Sequence, residues 1–229
     1  MTHTLKWRRA VGVAALGVSC LAVGRAGYAQ QRPLVTEDPE TVGAGRMLIE
    51  FGFDYLRAQK YPVSGLEGNL MRLPSIGASM GVGPAAEIQI DGVLHDSLSI
   101  TARNDGPLAG ALVVVGNTTT DFGDVTIGAK VRLLSEGPGR PSVATRFATR
   151  LPNASNESGL GTDTFDFYTT LLVGKTAESL RIIGNVGLGI LSDPTNATRQ
   201  NDVLLYGVSV ARSVTDPPTI SDASPSPSW

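Results

Sequence analysis

The sequence is poor in the residues on which enzymes and disulfide-stabilised proteins depend. Its 229 residues include one cysteine and two histidines, and aromatic residues make up only 6% of them. Cys20 lies in an N-terminal segment that we expect to be removed, so the mature chain would have no disulfide chemistry. The mature chain would keep only His95, and no histidine, cysteine and carboxylate residues have metal-ligand spacing. We therefore expect no enzyme: no catalytic residues, no metal and no cofactor.

Charge and hydrophobicity are also limited. Charged residues make up 17% of the chain, and its mean hydropathy is close to zero. Such a hydropathy excludes a protein built from several membrane-spanning helices. It does not exclude a β-barrel, because barrel strands are apolar on one face only. Glycine is abundant, with 27 residues, which suits closely spaced strands and many turns.

Residues 1–29 are typical of a secretory signal peptide. Lys6, Arg8 and Arg9 form a positive start, residues 10–23 form an apolar core, and residues 27–29 supply small residues for cleavage. Cleavage would remove four basic residues and no acidic ones, so the mature chain would be acidic. We therefore expect no nucleic-acid partner. The polar residues 30–45 are predicted to form a periplasmic lead-in.

Alternation of apolar and polar residues is the main feature of residues 46–214. In residues 125–133, Val125, Ile127, Ala129, Val131 and Leu133 alternate with polar, charged or glycine residues. A repeat of two residues is the pattern of a β-strand with one apolar face. It predicts about eight strands, at residues 46–56, 70–82, 86–94, 124–134, 143–151, 165–173, 180–190 and 204–210.

The connectors between these predicted strands alternate in length. Those after the first, third, fifth and seventh strands are long, and those after the second, fourth and sixth are short. Outer-membrane barrels have long extracellular loops and short periplasmic turns. The sequence therefore predicts an all-β, antiparallel transmembrane β-barrel over residues 46–214. Within the long connector 95–120, the apolar run 112–115 is compatible with a short buried strand.

Charged residues occupy the polar faces of four predicted strands. With the turn 135–140 as a hairpin centre, Lys130 is predicted to lie opposite Arg146, and Arg132 opposite Ala144. A hydrated lumen would screen the like charges. One interpretation is a field that selects solutes in a pore, and the other is a set of ion pairs that fill a narrow barrel. The candidate lumen-lining residues are Glu50, Asp54, Glu87, Asp91, Lys130, Arg132, Arg146 and Arg150.

Several segments resemble a family of proteobacterial outer-membrane proteins. They are Pro33-Leu34-Val35-Thr36-Glu37-Asp38 with residues 41–45, then residues 122–130, Leu151-Pro152 and residues 201–207. These segments are similar to the barrel family named for the MetA pathway of phenol degradation, also described as transporter-like. The resemblance covers about residues 30–212. It implies an outer-membrane channel or uptake barrel, sometimes linked to hydrophobic or aromatic compounds.

The C-terminal residues 215–229 depart from this pattern. They contain four prolines among serines and aspartates, and proline cannot donate a hydrogen bond to a strand ladder. This tail is therefore not expected to form the closing strand of a barrel. Two explanations stay open. Either a frameshift after about Arg212 removes further strands of a larger barrel, or the tail is disordered and follows an eight-stranded barrel.

These features together predict an exported protein of the bacterial outer membrane that passes small solutes passively. Its partners would be outer-membrane lipid, an unidentified small solute and the barrel-assembly machinery. Two alternatives remain. One is a non-conducting structural or adhesion barrel of eight strands, and the other is a secreted soluble β-sandwich that binds a ligand.

Overall fold

The computed structural model describes residues 36–196 and 198–213. The predicted signal peptide 1–29, the first residues of the predicted lead-in and the tail 215–229 lie outside the described residues. Within them the secondary structure is almost entirely β, with one short 3₁₀ turn at Ala109–Ala111. No helix of the described part is long and apolar enough to cross a membrane.

Ten antiparallel strands form a single sheet. Their bounds follow from hydrogen-bonded pairing: β1 Met47–Tyr61, β2 Leu66–Gly81, β3 Ala86–Val93, β4 Asp96–Arg103, β5 Thr118–Asp121, β6 Val125–Leu134, β7 Ser142–Leu151, β8 Asp166–Ala177, β9 Leu180–Ser192 and β10 Gln200–Arg212.

The ten strands occupy eight positions across the sheet. β3 and β4 pair with successive parts of β2 on the same side. They therefore share one position in the sheet, with an interruption at residues 94–95. In the same way, β5 pairs with β4 and β6 pairs with β3. β5 and β6 therefore share the next position, with an interruption at residues 122–124. The prediction of about eight strands is therefore corrected to ten, because two predicted strands are interrupted and extended by short segments.

The sheet curls strongly into an open half-barrel. Among the described residues, β1 pairs only with β2 and β10 only with β9. The predicted closed barrel is therefore not formed by this part of the chain. The physical reason is the combination of strand number and curvature, because eight positions curled to a half-barrel do not bring the first strand to the last.

The predicted alternation of faces is confirmed. Large apolar side chains of every long strand project from the outer face and are exposed, as in Tyr206, which is 79% exposed. The inner face carries glycines, small residues and charged residues, and its Lys130 is 0% exposed. The predicted register is also confirmed, since Lys130 pairs with Arg146 and Arg132 with Ala144.

The two ends of the sheet differ in their connectors. Residues 104–117, 152–165 and 193–199 join strands at one end, which we call the loop end. Residues 82–85, 135–141 and 178–179 join them at the other, which we call the turn end. The predicted difference in connector length is therefore confirmed for the connectors 104–117 and 152–165, but not for 193–199, which is no longer than the turn 135–141.

The first connector, between β1 and β2, also departs from the prediction. β1 and β2 extend far beyond their predicted bounds, and only residues 62–65 join them. Register shifts between Gly52 and Asp54 and between Leu56 and Gln59 break the alternation, which explains why the pattern of the sequence hid this extension. The buried strand suggested for residues 112–115 is wrong, because Val113 and Val115 are exposed and belong to no strand.

A small apolar core closes the inner face at the loop end. Leu66, Leu70 and Leu98 are fully buried there, and Tyr61 and Leu160 pack against them. Leu160 belongs to the connector between β7 and β8, which folds over the sheet. Ser64 Oγ donates to the Gly159 carbonyl at 2.8 Å and fixes this connector.

Candidate functional site

Residues 36–42 precede the first strand and lie along the inner face near the turn end. We call them the N-terminal segment. Its Thr36 Oγ1 donates to Ser209 Oγ of β10 at 2.6 Å, and the Val42 amide donates to Glu87 of β3 at 2.7 Å. The segment therefore crosses the inner face from β10 to β3.

Lys130 of β6 lies beneath this segment. Its Nζ is 3.0 Å from Glu87 Oε1 and 3.2 Å from Glu37 Oε1, and it donates to the Asp38 carbonyl at 3.0 Å. Lys130 and Glu87 are both fully buried. A buried charge is tolerated only when partners and hydrogen bonds replace its water, and here these protein oxygens do so.

Arg146 of β7 is joined to the same group. Its Nε is 3.0 Å from Glu37 Oε2 and donates to Gln89 Oε1 at 2.6 Å. Its Nη2 is 3.8 Å from Asp91 Oδ2. Gln89 in turn donates to Glu37 at 2.6 Å and to Glu87 at 2.8 Å. The paired cations Lys130 and Arg146 are thus separated by acidic and amide groups.

The other two acidic residues of the segment, Asp38 and Glu40, pair with other basic side chains of the sheet. Asp38 accepts two hydrogen bonds from Arg181 of β9, at 2.5 and 2.7 Å. Glu40 pairs with Arg132 of β6 at 2.5 Å. All three carboxylates of the segment therefore meet basic side chains of the sheet, and we call this whole group the inner charge cluster: Glu37, Asp38, Glu40, Glu87, Gln89, Asp91, Lys130, Arg132, Arg146 and Arg181.

Glycines allow the chain before β1 to lie close to the sheet. A Cβ on Gly174 would lie 2.8 Å from Pro39 Cγ, and a Cβ on Gly81 would lie 1.8 Å from the Gly43 carbonyl oxygen. Gly43 itself has a φ of +82°, a conformation that favours glycine. The absence of a side chain at Gly174 makes room for the N-terminal segment, and its absence at Gly81 makes room for Gly43.

Glu136 lies in the turn 135–141 and extends the ion pairs to the turn end. Its carboxylate accepts from the Thr176 amide at 2.7 Å, and it lies 3.0 Å from Arg181 Nη1 and 3.4 Å from Lys175 Nζ. Burial opposes ionisation, but the hydrogen bonds from Thr176, Arg181 and Lys175 outweigh it and lower the pKa of Glu136.

A second group of charges lies near the loop end. Arg150 of β7 is 2.6 Å from Asp124 and 2.5 Å from Asp166. Asp124 also accepts from the backbone amides of Asn153 and Ala154. Asp121 accepts from the Ser155 amide and hydroxyl at 2.8 and 2.9 Å. These contacts hold the connector 152–165 against the inner face.

The structure thus separates the eight predicted residues into three groups. Glu87, Asp91, Lys130, Arg132 and Arg146 come together in the inner charge cluster. Arg150 belongs to the loop-end group. Glu50 and Asp54 form the third group, on β1. Glu50 lies opposite Gly77 of β2, which pairs with Asp91 of β3. Asp54 accepts a hydrogen bond from Ser75 Oγ at 3.1 Å.

The expectation that lumen water screens the basic residues is not met at the centre of the cluster. Lys130 has no exposed surface, and its charge is balanced by Glu37 and Glu87. The ion-pair interpretation therefore describes these residues. The sequence pattern did not identify Glu37, Asp38 and Glu40, because they lie outside any strand. The signal available in the sequence was an acidic segment that precedes strands with basic residues on their polar faces.

No group of three or more potential metal ligands is found among residues 36–196 and 198–213. A comparison with curated proteins gave no match. The family model described as "Putative MetA-pathway of phenol degradation" matches residues 31–219. This match covers most of the chain and includes all ten strands. The chain therefore belongs to this family.

Proposed function

We propose that this protein is an outer-membrane β-barrel protein that passes small solutes along its inner face. The observation that carries the proposal is the uncovered apolar outer face of the sheet. Its members on the last two strands alone are Ile182, Val186, Leu188, Ile190, Leu204, Tyr206, Val208 and Val210, all exposed. An apolar surface of this extent is unfavourable in water and suits lipid.

The location follows from the same proposal. A strand-built membrane protein with the signal peptide predicted at residues 1–29 belongs in the bacterial outer membrane. Its partners are outer-membrane lipid on the outer face and the assembly machinery during insertion. We propose no enzymatic role.

The proposed mechanism is passive diffusion along the polar inner face. The N-terminal segment covers part of this face at the turn end, and the connector 152–165 covers part of it at the loop end. Both would restrict the path to small solutes. Family membership favours hydrophobic or aromatic compounds among them.

A non-conducting structural barrel is the second candidate. The burial of Lys130 beneath the N-terminal segment favours it, because a packed inner face leaves less room for a path. The predicted alternative of a soluble β-sandwich is wrong for the described residues, which form one sheet whose apolar face no second sheet covers.

Gel mobility of the unboiled and boiled protein from an outer-membrane fraction tests the location. The proposal requires the open half-barrel to become a closed barrel in the membrane, and a heat-dependent shift would show this closure, because closed barrels resist detergent until they are heated. Conductance of the purified protein in planar bilayers then tests the passage of solutes. Recovery in a soluble fraction would overturn the proposed location. A folded protein that never conducts would favour the structural candidate.

A further inference from the structure

The carboxylate of Glu37 lies among donors from three neighbouring strands. Lys130 Nζ of β6 lies 3.2 Å from its Oε1, and Arg146 Nε of β7 lies 3.0 Å from its Oε2. Gln89 Nε2 of β3 donates to Oε1 at 2.6 Å. Side chains of the sheet therefore hold both oxygens of one carboxylate. We call Gln89, Lys130 and Arg146 the carboxylate cradle.

Contacts within the sheet position each member of the carboxylate cradle. Lys130 and Arg146 are direct partners in the register of the β6–β7 pair. Glu87 lies 3.0 Å from Lys130 Nζ and accepts from Gln89 at 2.8 Å. Gln89 Oε1 accepts from Arg146 Nε at 2.6 Å. None of these contacts involves Glu37, so the sheet itself preorganises the three donors for a carboxylate.

The strands of the inner charge cluster carry more positive than negative charge. Four of their side chains are basic and two are acidic, namely Lys130, Arg132, Arg146 and Arg181 against Glu87 and Asp91. The carboxylates of the N-terminal segment supply the balancing negative charge. The excess positive charge of the strands attracts anions. Glu87 and Asp91 weaken this attraction beside the cradle, so its hydrogen bonds must select the carboxylate.

The position of the Glu37 carboxylate can be reached from the inner face. The side chain of Glu37 is 26% exposed and that of Arg146 is 19% exposed. Gly43 and Gly45 join the N-terminal segment to β1, with φ values of +82° and +68°. Glycine lets the backbone rotate at low cost, so the segment can lift from the sheet at these two residues. A carboxylate in solution can then enter the cradle in place of Glu37.

We propose that the carboxylate cradle is a binding site for small solutes that carry a carboxylate, and that Glu37 is its internal ligand. A solute carboxylate takes the position of the Glu37 carboxylate and accepts hydrogen bonds from Gln89, Lys130 and Arg146. Glu37 competes with the solute at a high effective concentration, because it belongs to the same chain. Its return releases the solute, which suits a site along a path. This role in passage rests on the proposed function.

Glu37→Ala tests the site by removing the internal ligand and leaving the cradle intact. Sodium acetate is the probe, and acetamide is the matched compound without a charge. Binding is measured by saturation-transfer NMR on the folded protein in detergent. Acetate is expected to bind the variant about tenfold more tightly than the wild type, because Glu37 no longer competes for the donors. Acetamide is expected to bind neither protein.

Refolding of Glu37→Ala gives a second measurement, which applies even if the variant folds poorly. A ligand of the folded state raises the yield of folded protein, so acetate should raise this yield and acetamide should not. Failure of acetate in both measurements would overturn the inference.

Two further variants identify where the acetate binds. Glu40→Ala removes another carboxylate of the same segment and should gain no acetate binding, because its partner Arg132 also donates to the Pro84 carbonyl at 2.8 Å. Glu37→Ala/Arg146→Met lacks one charged donor of the cradle and should lose the binding that Glu37→Ala gains. Equal acetate binding to Glu37→Ala and the wild type would overturn the inference. Displacement of acetate by an equal concentration of chloride would overturn the selection of carboxylates.

Binding and conductance fail separately. A protein whose Glu37→Ala variant binds acetate but which never conducts would contradict the proposed passage and leave the binding site standing. A conducting protein whose variant does not bind acetate would contradict the binding site alone.

Discussion

Lys130 Nζ of β6 lies 3.0 Å from Glu87 Oε1 of β3, and neither side chain is exposed. The two residues are direct partners in the register of the β3–β6 pair. Their contact fixes this register chemically, because a shift of one strand by one residue would send its charge to the apolar outer face and leave the other charge buried without its partner. The N-terminal segment then covers the pair with Glu37 and the Asp38 carbonyl.

Loss of the Lys130 charge is expected to destabilise the protein strongly. Lys130→Met leaves Glu87 buried without its cation, which costs about 3–5 kcal/mol in the free energy of unfolding. Arg132→Met on the same strand is the control, because the Arg132–Glu40 pair is partly exposed and contributes about 1 kcal/mol or less. Urea titration of the heat-dependent gel shift measures both variants. Equal losses would contradict the importance assigned to burial.

A side chain at Gly174 is expected to displace the N-terminal segment. The Cβ of Gly174→Ala would lie 2.8 Å from Pro39 Cγ, an overlap that costs about 1–3 kcal/mol. Cleavage by trypsin at Arg46 should therefore be about tenfold faster. Gly184→Ala is the matched control, because a Cβ there meets no atom within 4 Å. Similar cleavage rates for the two variants would show that the segment does not depend on this contact.

A charge on the outer face is expected to impair insertion. Leu204 and Leu205 are adjacent on β10, and Leu204 projects from the apolar outer face at 64% exposure. Leu204→Arg should cost about 2–4 kcal/mol if the position lies near the middle of the bilayer. Leu205→Arg places the same charge on the inner face and should be tolerated. The yield of heat-modifiable protein in the membrane fraction compares them, and equal yields would argue against a lipid-facing outer surface.

Acid is expected to loosen the turn 135–141. Hydrogen bonds hold the pKa of Glu136 below its ordinary value of 4.5. A lowered pKa in the folded state means that the carboxylate stabilises the turn above pH 4.5. This contribution is lost as the pH falls through the lower, folded-state pKa. Hydrogen exchange of the Thr176 amide, which donates to Glu136 at 2.7 Å, reports the loss.

Glu136→Gln provides the control for this pH dependence. The glutamine does not titrate, so exchange at Thr176 should already be faster at neutral pH and should show no further change in acid beyond that of the chemistry itself. A wild-type response that persists in the variant would assign the effect to another group.

The strands were predictable where alternation is unbroken. β6, β7, β8 and β9 follow the sequence pattern closely, and so does the pairing of Lys130 with Arg146. Such a pattern reports which face is apolar, and this is why the faces could be assigned. The ends of β1 and the separate strands β4 and β5 were missed, because bulges and polar residues interrupt the repeat there.

The candidate site was only half predictable for a different reason. Alternation identified Glu87, Lys130, Arg132 and Arg146 as polar-face residues, but it contains no information about non-periodic segments. Glu37, Asp38 and Glu40 reach the cluster through tertiary folding alone. Their acidic character complements the basic strands, but only the structure shows that they contact them.

β2 pairs with β1 along one edge and with both β3 and β4 along the other. A single residue inserted between Arg72 and Ser75 would reverse the faces of the turn-end half of β2, and it would shift its register with β1 and β3 at once. Ser79 would then lie on the apolar outer face, and Met80 would lie on the charged inner face. Insertions and deletions in relatives of this chain should therefore avoid β2 and accumulate in the connectors 104–117 and 152–165, where added length changes no strand register.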